Sequence, residues 1–92
     1  MNIIEEIKAG KVDELDLLEY ITDNDVNVAI AAAQSNIATE PILDIASRDQ
    51  DREVRMAAVK NPNIGKKTLQ YLMKDSDEEI AETARKILEG RK

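Results

Sequence analysis

The chain has 92 residues and contains no Cys, His, Trp or Phe, so it has no thiol nucleophile, imidazole relay, disulfide, zinc finger or cysteine-held iron–sulfur cluster. Its length allows one small domain, and a net charge of −6 works against non-specific attraction to nucleic acid or an anionic membrane. The start, Asn2-Ile3-Ile4-Glu5-Glu6, lacks a basic region followed by a long apolar run, and the longest apolar stretch, residues 28–33, is too short to span a bilayer. The default location is therefore cytoplasmic.

Hydrophobic spacing predicts seven helices, at residues 2–9, 13–22, 24–35, 40–47, 50–60, 66–74 and 76–89. They follow from a register of 26 residues. Leu17, Leu43 and Leu69 fall in one column, and Val28, Val54 and Ile80 in another. Ala32, Ala58 and Ala84 form a third, with Asp23, Asp49, Asp75 and Asp25, Asp51, Asp77 as two more. Blocks 17–42 and 43–68 share six identities, where about two are expected from ordinary residue usage. Residues 1–16 read as a leading half repeat, 17–42 and 43–68 as full repeats. Residues 69–92 read as a C-terminal capping repeat, because Glu82 and Arg85 replace apolar residues of the earlier blocks. On that reading the chain has two ends and a middle.

The predicted fold is all-α, a right-handed α-solenoid of helix-pair repeats. Asp23, Asp49 and Asp75 are expected at helix N-caps, with Asp25, Asp51 and Asp77 inside the first turn, where the helix dipole favours carboxylates. The alternative, metal ligation by the three Asp-x-Asp pairs, lacks the further oxygens and the glycine bend that a calcium loop needs. No metal or cofactor is expected. The three glycines stand too far apart for a phosphate-cradling loop.

Charge is divided unevenly: residues 1–46 carry −8 and residues 47–92 carry +2. This marks an acidic N-terminal face, Glu5, Glu6, Asp13, Glu14, Asp16 and Glu19, suited to a basic protein partner. Its plainer reading is a solvated surface. Tyr20 and Tyr71 fit either interface anchors or core residues with their hydroxyls at the rim. Met56 and Met73 read as gap-fillers. Arg48, Arg52, Arg55, Lys60, Lys66 and Lys67 could meet phosphates, but interleaved acids and the absence of a neighbouring aromatic favour surface ion pairs. Arg55 in particular can pair with an Asp of a neighbouring repeat. No arrangement of carboxylates, Lys, Ser, Thr and Tyr marks a catalytic site, so no enzymatic activity is expected.

The stretch from Asp49 to Asn63, DQDREVRMAAVKNPN, resembles the leucine-rich repeat variant, a relative of the HEAT-like repeats. The resemblance implies curved arrays on which other macromolecules dock. It leaves open whether the alternate helices are α or 3₁₀. The expected function is a non-enzymatic adaptor or scaffold that binds a protein or peptide, as a monomer or weak homodimer. The alternatives are nucleic-acid binding through residues 48–67 and a homo-oligomer in which the acidic end meets the more basic one.

Overall fold

A computed structural model of the chain describes residues 2–91; Met1 and Lys92, the latter counted in the basic half, lie outside them. All regular structure among the described residues is helical: α1 Ile3–Lys8, α2 Glu14–Tyr20, α3 Val26–Gln34, α4 Glu40–Ser47, α5 Arg52–Lys60, α6 Lys66–Leu72 and α7 Glu78–Gly90. The helices predicted from sequence are all present, with ends that differ by at most two residues. The shorter alternate helices α2, α4 and α6 are α-helical, which answers what the resemblance left open.

The aspartates set the helix starts, in a different division of labour from the one predicted. Asp25, Asp51 and Asp77, not Asp23, Asp49 and Asp75, are the N-caps of α3, α5 and α7. Their side chains accept from the N–H groups of Asn27, Glu53 and Glu79 at 2.8–3.0 Å. The earlier aspartates accept the cap residue's own N–H, each at 2.8 Å. Each Asp-x-Asp pair is thus a turn followed by a cap, because a short carboxylate reaches the amide two residues on. Asp13 and Asp16 close a capping box at α2. Asn61 ends α5 in an extended conformation, as the proline after it requires. Gly10 supplies the left-handed residue, φ +74°, that turns the chain after α1.

Helices α1, α3, α5 and α7 pack each against the next in one layer, while α4 packs against α3, α5 and α6, and α6 against α7. Burial follows the columns. Leu17, Leu43 and Leu69 are fully buried, as are Ala32, Ala58 and Ala84, and Val28, Val54 and Ile80 lie between them in the core. The alanines keep helix axes close, and each buried Leu, Ile or Val adds about 1.5–3 kcal/mol of apolar transfer. Met56 fills the core as expected, but Met73, the residue that follows the last turn of α6, is exposed. The molecule measures 39 × 24 × 16 Å with a radius of gyration of 12.5 Å, close to the ~12 Å of a globular chain of this length.

Candidate interaction surface

The N-terminal acids lie around the start of α1 and along α2. The charges of three of them, Glu6, Asp16 and Glu19, act together with that of Asp23 on the Tyr20 phenol. The Tyr20 phenol is raised above its ordinary value of 10.0, first by partial burial and then by the fields of Asp16, Glu6, Glu19 and Asp23. The other candidates are engaged locally. Asp13 is held in the capping box, and Glu14 accepts from the Thr39 hydroxyl on the following turn. Glu5 lies in the first turn of α1, where the Asn2 side chain caps the helix. Beside these acids, Leu15 is 73 % exposed and Leu18 also reaches solvent.

Ion pairing is confined to the other part of the chain. Every ion pair among the described residues joins groups between Asp44 and Lys86, and none includes an acid of α1 or α2. The carboxylates of α1 and α2 therefore have no cationic partner among the described residues.

Arg55 is not part of an exposed face. Its side chain is 15 % exposed, and its guanidinium meets Asp75, itself 6 % exposed, through Nε at 2.9 Å. Nη1 donates to the carbonyls of Asp49 and Gln50 at 2.9 and 3.0 Å. It is an internal clamp, paired with an aspartate of the next block as its second reading had it, and its donors are used inside the fold. Tyr71 lies far from the Tyr20 cluster in sequence and on another helix. It is 45 % exposed, and the Arg48 guanidinium covers its ring at 4.3 Å from the centroid. Core packing does not describe it.

The three arginines of the basic stretch are matched by acids, whereas Lys60, Lys66 and Lys67 make no ion pair among the described residues. Arg48 pairs with Asp44, and Arg52 meets Asp77 at 2.6 Å, Glu79 at 2.8 Å and Glu53. Among the described residues no group of three or more carboxylates is arranged to hold a metal ion.

Sequence reasoning overlooked a set of donors at the turns after α5 and α7. Buried Asn61 donates to the carbonyls of Ala33 and Ser35 at 2.8 and 2.9 Å and accepts the Asn63 N–H. Asn63 donates to Asn36 and Ala38 at 2.8 and 3.0 Å. Arg91 donates to Ile64 at 2.7 Å and Pro62 at 3.5 Å. The two acceptors of Arg91 lie one 26-residue step beyond the two acceptors of Asn63, so the register held the signal. Arg91 sits past the last helix, outside the columns that the register picked out. Glu40 was overlooked too; its carboxylate accepts from the Gly65 N–H and the Thr68 hydroxyl, tying α4 to α6. Comparison with family models, curated proteins and solved structures finds no match.

Proposed function

We propose that the chain is a right-handed α-solenoid of HEAT-like helix-pair repeats, about 26 residues each, acting as a non-enzymatic adaptor or scaffold in the cytoplasm. Its partner is a basic protein or peptide that docks on the N-terminal end. The observation that carries this reading is the surface of α2, where half-buried Tyr20 and exposed Leu15 and Leu18 stand among acids, Glu14, Asp16 and Glu19, that make no ion pair among the described residues. A tyrosine with an apolar flank and unpaired charge around it combines an anchor with steering. The repeat assignment is supported by the five sequence columns and by hydrogen bonds that recur one register step apart.

The test replaces Glu5, Glu6, Glu14 and Glu19 with Gln and Asp13 and Asp16 with Asn, and measures retention of a synthetic Lys-rich peptide at low salt. Retention is expected to be lost in this variant and to persist when Glu78, Glu79 and Glu89 are neutralised instead. Equal retention by both variants would overturn the reading. Nucleic-acid binding is the weaker alternative, because Arg48, Arg52 and Arg55 already face carboxylates; a gel shift at low salt would restore it. Self-association is favoured by one observation, the −8 against +2 division of charge. It predicts a solution mass that falls as salt rises.

A further inference from the structure

Two clefts of the molecule have the same frame and different contents. Between the α4–α5 and α6–α7 turns, Arg55 is held by the Asp75 carboxylate and by the carbonyls of Asp49 and Gln50. Arg52 beside it donates to Asp77 at 2.6 Å. One register step earlier, between the α2–α3 and α4–α5 turns, the residues in those two places are Ala29 and Val26. The side chains that fill the later cleft are missing, and an open cleft of about 370 Å³ remains.

The acceptors have stayed. Asp49 and Asp51 occupy the places of Asp75 and Asp77, and the carbonyls of Asp23 and Asn24 those of Asp49 and Gln50. Asp49 and Asp51 each use Oδ1 for a turn or cap amide, while their Oδ2 atoms have no donor among the described residues. Asp23 and Asn24 direct no carbonyl into a hydrogen bond among those residues. Val26, Ala29 and Val54 form an apolar wall. A cleft with carboxylates on one side, carbonyls on the other and an apolar wall matches a guanidinium on an aliphatic stem. Arginine has planar donors on several edges, whereas lysine offers a compact ammonium.

We propose that this cleft binds one arginine side chain of a protein partner, in the way its neighbour holds Arg55. The guanidinium bridges the Asp49 carboxylate and the carbonyls of Asp23 and Asn24, a second donor reaches Asp51, and the stem lies against Val26, Ala29 and Val54. The carrying observation is internal: the same acceptors, one register step on, bind a guanidinium at 2.9–3.3 Å. The site goes beyond the docking end described above, and apart from Asp23 it shares no residue with it.

The experiment titrates the ¹⁵N-labelled full chain with acetyl-Gly-Arg-Gly-amide and with its citrulline analogue, which keeps the shape but loses the charge. Saturable amide shifts are expected at residues 24–29 and 49–54 with the arginine peptide and not with the citrulline one. Asp49→Asn keeps the acceptor for the Asp51 N–H and removes the charge, and should weaken binding about tenfold or more. Ala29→Arg places an internal guanidinium in the cleft, and should abolish binding while raising the unfolding midpoint. Shifts confined to α1 and α2, equal shifts with citrulline, or unchanged affinity in Asp49→Asn would each overturn the site. The variant neutralised at Glu5 to Glu19 is expected to bind the arginine peptide as the parent does, so this proposal and the docking end stand or fall separately.

Discussion

The seam between α3 and α5 and the seam between α5 and α7 have similar interiors and different edges. Both are packed by aliphatic columns with alanines at the closest approach. At the turns after α3 and α5 the first seam is joined by two asparagines, and Asn61 is buried among the carbonyls it satisfies. The second is joined there by one arginine from the end of the chain. At the opposite edge Arg52 and Arg55 cross the second seam to Asp77 and Asp75, whereas Val26 and Ala29 leave the first seam open. The core makes the seams alike because close packing tolerates little variation. Turn carbonyls need donors but do not dictate which donor, so the edges are where the two seams diverge and where a partner can enter.

If the asparagine edge carries the first seam, its loss should be the largest single polar effect. Asn61→Ala removes two donated bonds and one accepted one in a buried site, and is expected to lower stability by about 3 kcal/mol, from carbonyls left without a donor. Urea unfolding would measure it, and a loss no greater than that of Asn63→Ala would place the seam's strength in the apolar columns instead. Removing the corresponding clamp of the second seam should cost somewhat less. Arg55→Ala leaves Asp75 nearly buried without its cation, and a loss of about 2 kcal/mol follows for a charge-assisted set that still touches water. A loss below that of Arg48→Ala would show that the clamp is not what distinguishes the seams.

The difference between interior and edge also explains what could be read from sequence. Leucine, valine and alanine columns announce themselves because every unit must bury the same face, and those residues proved to be core. The Asp-x-Asp pairs were legible as helix starts but shifted by two residues, since spacing alone does not say which carboxylate turns the chain and which caps it. Arg55 was legible only as a choice between surface and clamp; which one depends on where α7 begins. Asn61 entered only as part of the repeat-like stretch that ends at Asn63, while its amide reaches residues 26 and 28 positions away. Contacts at that range belong to the stacking of helices and leave no mark on local pattern. The acids of α1 and α2 were legible as a charge excess, but that Glu6 acts on Tyr20 of the next helix required both helices in place.

Acid tests the second seam through one group. Asp77 is held below its ordinary value of 3.8, chiefly by the Arg52 guanidinium, with the N–H groups of Ile80 and Glu79 adding to it and partial burial opposing. A carboxyl lowered on folding contributes stability that is complete above its unfolded value and is lost as pH falls through the folded one. Between about pH 6 and pH 3, Asp77→Asn should therefore lose less stability than the parent, measured by urea midpoints at each pH. Arg52→Gln, which keeps Asp77 as the cap and removes the guanidinium, should flatten the acid dependence in the same way. An unchanged dependence would mean that capping, common to both seams, sets the response.

The smallest expected effect lies on the outer face of α4 and α6, where Arg48 covers Tyr71. Arg48→Ala should cost about 0.5 kcal/mol, the scale of a cation–π contact in solvent, because Asp44 loses only an exposed partner with it. A double-mutant cycle with Tyr71→Leu separates the ring contact from the ion pair. A coupling energy near zero would leave Arg48 as surface charge, available to an acidic group of a partner. Measurable coupling would make the Arg48–Tyr71 pair a third link between the α4 and α6 segments, at the end of α4 away from Glu40 and its two donors.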